Sequence, residues 1–187
     1  GTATGVEVAK LALRDGTVLL EFGWPRIALP PALPIEPALT LAIARQESEF
    51  DPKARSAANA QGLMQLLPGT AKQTAQKLGL AYEESQLNDP ATNLTLGSTY
   101  LGQLVRGFDG SYILAIASYN AGPANVRGWL NSIGPLPRHT DAAIDWIESI
   151  PFNETRNYVM RVLENVSVYR TLADKDAPLL LPADLRR

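Results

Sequence analysis

Leu39, Ile43 and Glu47 recur at i, i+4 and i+8, so they share one face of a helix. Leu41, Ala42 and Ala44 make the other faces apolar as well, which predicts a helix buried on most sides. Pro37 is suited to its first turn, where a missing N–H costs nothing. Asp51-Pro52 is expected to end it, because a residue before proline is pushed out of the α region. Glu47 thus continues an apolar stripe. Desolvation disfavours the carboxylate there and favours the protonated acid, the state that a general acid needs near neutral pH. A structural ion pair with Arg45 or a distant arginine is the plainer alternative.

The same period runs through the rest of the chain. Val6, Ala9, Leu11 and Leu13, then Leu19, Leu20 and Phe22, predict two short helices around Asp15-Gly16. Pro25, Pro30, Pro31 and Pro34 mark an extended connector. Residues 51–69 lack sustained periodicity and read as loop. A helix is expected from Thr70 to Leu78, with Gly79 as its stop. Asp89-Pro90 pairs an N-cap with a first-turn proline and opens a helix to about Arg106, with Leu94, Leu101 and Leu104 inward. Tyr112 to Ala121 is nearly apolar, hence central, and Gly122-Pro123 stops it. Short helices follow at 124–131 and 142–149. The last, 154–171, has Val159, Val162, Leu163 and Val166 as its core stripe. The fold class is all-α, with roughly seven to nine helices and room for a short β-hairpin within 52–66.

Composition narrows the chemistry. The chain has 187 residues, 45% hydrophobic and 19% charged, which suits one ample globular domain with or without an appendage. Its net charge is −2, and no basic run argues for nucleic acid. With no Cys and a single His, thiol chemistry and His-rich metal sites are excluded, and Ser-His-Asp catalysis is confined to His139, which lies in a loop. The low-polarity stretch 27–44 contains prolines and Glu36, so it is not an integral membrane segment. Gly1 carries neither a signal sequence nor an initiator Met, and a mature product or an excised fragment is expected.

Four motifs stand in order: A-R-Q-E-S-E-F-D-P-K (44–53), S-A-A-N-A-Q-G-L-M-Q-L-L-P-G-T-A (56–71), A-S-Y-N-A-G-P (117–123) and I-E-S-I-P-F-N-E-T-R-N-Y-V (147–159). Over residues 35–172 this set resembles the catalytic domain of the soluble lytic transglycosylases, lysozyme-like enzymes that cleave bacterial peptidoglycan. Two positions depart from the family pattern. Asn59 stands where a glycine is usual, and Leu67 where methionine often is. Asn tolerates the left-handed region, and Leu for Met nearly conserves volume.

The resemblance implies a lysozyme-like fold over 34–187, including a C-terminal tail, with residues 1–33 as a helical remnant of a preceding region plus linker. A local N-terminal decoration is the other reading of 1–33. It implies cleavage of the β-1,4 bond between N-acetylmuramic acid and N-acetylglucosamine, without water, to give 1,6-anhydromuramic ends. Glu47 would act as acid and then as base. A hydrolytic lysozyme would need a second carboxylate, for which Glu49, Asp51 and Asp109 are available. A non-catalytic glycan-binding module is the rival from another class.

Substrate contacts are expected from Ser56, Met64, Gln65, Tyr119, Asn120, Glu148 and Tyr158. Ser56 could orient the Glu47 carboxyl or simply form a turn. Gln65 supplies an amide for sugar hydroxyls, and Met64 an apolar face. Tyr119 could donate to the acid or to the glycosidic oxygen, or be a core tyrosine. Asn120 could touch the groove or cap a helix. Arg156 is expected to brace Glu148 or Glu154. No cofactor or metal is implied. The expected partner is the peptidoglycan glycan strand, in the periplasm or cell envelope of a Gram-negative bacterium.

Overall fold

The computed structural model describes residues 1–174. Among them are nine α-helices and one 3-10 turn. The chain divides between Tyr100 and Leu101 into two compact units.

In the first unit, α1 (Thr2–Arg14) packs against α2 (Leu20–Gly23), and the prolines of 25–34 keep the next stretch out of regular structure. Then comes α3 (Pro37–Ser48), with Pro37 in its first turn as expected and every residue from Ala38 to Ala44 buried. Its end differs from expectation. The helix stops at Ser48, before Asp51-Pro52 exerts its restriction, because Glu49 (φ 51°) and Phe50 (φ 66°) turn left-handed in succession. Neither is glycine, so each turn costs about 1 kcal/mol or more. Local partners offset that cost. Phe50 is buried, its N–H bonds to Ser48 Oγ at 3.2 Å, and the Glu49 carboxylate pairs with Lys10.

The 52–66 segment forms no strand; isolated bridges join Arg55 to Gln61 and Gln61 to Leu66. Asn93 holds this loop from inside. Its Nδ2 donates to Gln61 O and Leu87 O, both at 2.9 Å, and its Oδ1 accepts from Met64 N at 2.8 Å. Gly62 is required beside it. Its φ is 77°, and an added Cβ would lie 2.1 Å from Leu87 O. Asn59 adopts φ 64° where the family glycine is usual, and its Oδ1 accepts from Arg55 Nε at 2.7 Å.

Helix α4 (Pro68–Leu78) starts two residues earlier than expected, with Pro68 in its first turn, and stops at left-handed Gly79 as expected. The 3-10 turn Glu84–Asn88 was not anticipated; Glu83 and Gln86 cap it reciprocally. Helix α5 (Pro90–Gly107) carries the division between the units. Leu94, Leu101 and Leu104 are all buried.

The second unit centres on α6 (Tyr112–Ala121), buried from Tyr112 through Ser118. Gly122-Pro123 stops it, and Pro123 opens α7 (Pro123–Ser132). Helix α8 (Thr140–Glu148) packs on α9 (Asn153–Ala173), which also packs on α6. The stripe Val159, Val162, Leu163 and Val166 is buried. No described helix is long and apolar enough to cross a membrane.

Candidate active site

Glu47 lies in the last turn of α3 and is half-buried. Leu39 and Ile43, below it on the same face, are fully buried. The apolar stripe therefore surfaces at its acid. Ser48, whose role the sequence did not disclose, ties this turn to the next loop. Its hydroxyl donates to Leu63 O at 2.8 Å, with Ala44 O further off at 3.2 Å.

The other residues singled out in the first unit fare differently. Ser56 is exposed and closes its own turn, where Oγ accepts from Ala60 N at 3.0 Å. That is the turn-forming role, not a bond to the Glu47 carboxyl. Gln65 is half-buried, with φ 45°. Its Nε2 donates to Ala54 O and Gly62 O, each at 2.9 Å. Both amide protons are thereby used, and the carbonyl oxygen is what Gln65 can offer a ligand. Met64 corrects the sequence reading. Its side chain has no exposed surface, and its sulfur fills the space that Gly97 leaves by lacking a Cβ. It is core, like Leu63.

In the second unit, Tyr119 and Asn120 are half-buried at the end of α6. Asn120 Oδ1 accepts from Thr155 Oγ1 at 2.6 Å, and its Nδ2 lies 3.4 Å from Glu154 Oε1. Two side chains at the start of α9 thus orient it. Thr155, itself buried, was not anticipated. Glu148 ends α8 and is exposed. Arg156 braces this region through backbone carbonyls, Glu148 O at 3.1 Å and Ile150 O at 3.2 Å, rather than through a carboxylate. Tyr158 is only 6% exposed, so no more than an edge of it can face a ligand. Trp129 packs edge-on against Phe152, and Trp146 Nε1 donates to Gly134 O at 2.9 Å.

Among the described residues, no group of three His, Cys, Asp or Glu side chains could hold a metal ion. Of the candidates for a second carboxylate, the two in the first unit already have partners. Glu49 pairs with Lys10, and Asp51 Oδ1 accepts from Lys53 N at 2.9 Å.

Comparison with known proteins fits this layout. The family model described as the transglycosylase SLT domain matches residues 32–139, and that of the soluble lytic transglycosylase helical domain matches 149–178. The soluble lytic murein transglycosylase of Escherichia coli K12 is 43% identical over 152 residues, covering 80% of this chain and 23% of that protein. Membrane-bound lytic murein transglycosylase D of the same strain is 32% identical over 117 residues, or 63% of this chain and 25% of that one. Among solved structures, the 70-kDa soluble lytic transglycosylase of Escherichia coli aligns with a TM-score of 0.77 at 37% identity, covering 90% of this chain and 27% of that one. An inactive glutamate-to-glutamine mutant of the Pseudomonas aeruginosa lytic transglycosylase Slt aligns at 0.69 and 43% identity, covering 78% and 23%. The chain thus spans about a quarter of the length of these relatives. By the extent of the family match and the identity to its members, the chain belongs to the transglycosylase SLT domain family.

Proposed function

We propose that this chain cleaves the β-1,4 bond between N-acetylmuramic acid and N-acetylglucosamine in peptidoglycan, and does so without water. The observation that carries the reading is Glu47, a half-buried acid that continues the fully buried Leu39 and Ile43 face of α3. Glu47 protonates the departing glycosidic oxygen. It then takes the proton from the muramic 6-hydroxyl as that oxygen attacks the anomeric carbon, leaving a 1,6-anhydro end. Proximity replaces an external nucleophile in the second step. A hydrolase needs a second carboxylate for its water or its covalent intermediate. The engagement of Glu49 with Lys10 and of Asp51 with its own turn argues against them in that part. The names of the relatives, murein transglycosylases, support the same substrate. The inactivity of a relative with one glutamate changed to glutamine supports a glutamate as the acid.

Gln65, through its carbonyl oxygen, and Tyr119, Asn120 and Glu148 are proposed as substrate contacts. Ser56 contributes by shaping its loop. Tyr158 contributes at most an edge, and Met64 contributes only packing. With peptidoglycan as its substrate, the protein works in the bacterial cell envelope, and the Escherichia coli relatives favour the periplasm of a Gram-negative bacterium. The test is Glu47→Gln, which keeps shape and removes the transferable proton. We expect release of soluble muropeptides from purified peptidoglycan to fall at least about 10²-fold, with the circular dichroism of the folded protein retained. Turnover within a few-fold of the unaltered protein would remove Glu47 from the mechanism.

A further inference from the structure

The turn that carries Glu47 is the last of its helix, where carbonyls lack intrahelical partners and ends fray. Here it is gripped. Arg45 projects about 200° around the helix from Glu47, on its back. Its Nε donates to Gly23 O at 2.6 Å, and its guanidinium carbon stands 4.4 Å from the centroid of the Trp24 ring. Glu49, past the helix end, is paired with Lys10 of α1. The two charged residues that flank Glu47 are thus both held by residues 1–24.

We propose that residues 1–24 are a positioning brace for Glu47, with Trp24 and Lys10 as its positioning residues, acting through Arg45 and Glu49. This rests on the reading of Glu47 as the acid. The brace acts on geometry. An acid displaced by about 1 Å can lose up to about 10²-fold in rate while substrate still binds. An N-terminal segment read from sequence as a remnant or a decoration therefore belongs to the catalytic apparatus.

Steady-state kinetics on a soluble glycan strand of alternating N-acetylglucosamine and N-acetylmuramic acid test this in four variants. Glu47→Gln must be inactive; if it is active, the reading of Glu47 fails, and that failure is distinct from any failure of the brace. With Glu47→Gln inactive, Trp24→Ala is expected to lower kcat about ten-fold with KM within about two-fold. Trp24→Phe keeps a ring face for the guanidinium and should restore most of that loss. Lys10→Met, at a side chain 47% exposed, removes the ion pair without opening the core and should lower kcat about three-fold. If Trp24→Ala does not fold, Lys10→Met decides. The brace is overturned if kcat stays within two-fold in the folded variants. It is also overturned if the loss lies in KM, or if it only follows the folded fraction seen by circular dichroism.

Discussion

At the scale of single residues, α3 joins an acid at its end to a hydroxyl in its middle. Thr40 is fully buried, and its Oγ1 has no hydrogen-bond partner among the described residues. Burying such a group costs about 1–3 kcal/mol, and an apolar isostere removes the cost. Thr40→Val is therefore expected to stabilise the protein by about 1 kcal/mol in urea denaturation, with activity unchanged. A lower midpoint would show that the hydroxyl is satisfied in solution. Gly62 gives the opposite case. Its positive φ and Leu87 O, which stands where a Cβ would have to go, leave no place for a methyl group. Gly62→Ala should cost about 3 kcal/mol and displace the Gln65 loop. Gly69→Ala, where nothing lies within 4 Å, should be close to neutral by the same measurement. Equal effects at the two positions would contradict the packing described for the loop.

Among the elements, the start of α5 is the clearest test of local chemistry. Asp89 Oδ2 accepts from Thr92 N at 2.8 Å, and that bond holds its carboxyl below the ordinary value of 3.8. The folded value lies below the unfolded one. The cap's contribution is thus present above about pH 3.8 and fades as pH falls through the folded value. Asp89→Ala should lower the Tm at neutral pH, and the gap from the unaltered protein should close in strong acid. A gap independent of pH would mean that the carboxylate is not the cap. This helix start was legible because Asp-Pro states both of its requirements locally. Gly79 and Gly122-Pro123 were legible for the same reason. The end of α3 was not, since the left-handed pair Glu49–Phe50 depends on burial of Phe50 and on Lys10, far away in sequence. Asn93 was equally silent; its role exists only once the loop it binds lies beside it. Of the candidate site, Glu47 was visible as an acid that continues an apolar stripe. The commitments of Ser56 and Met64 were visible only in three dimensions.

At the scale of the whole molecule, the chain corresponds to about a quarter of its longer relatives, yet residues 32–139 carry the family's domain. The chemistry proposed for it is specific and leaves a mark on every product. Hydrolysis adds a water at the muramic anomeric carbon, whereas intramolecular attack by the 6-hydroxyl adds none. Digestion of purified peptidoglycan in heavy-oxygen water, followed by mass spectrometry of the muropeptides, reads this directly. The account predicts products ending in 1,6-anhydromuramic acid, lighter than the hydrolytic products by one water and free of label. Reducing ends carrying the heavy oxygen in most products would show hydrolysis, and the second role given to Glu47, as base for the 6-hydroxyl, would be wrong.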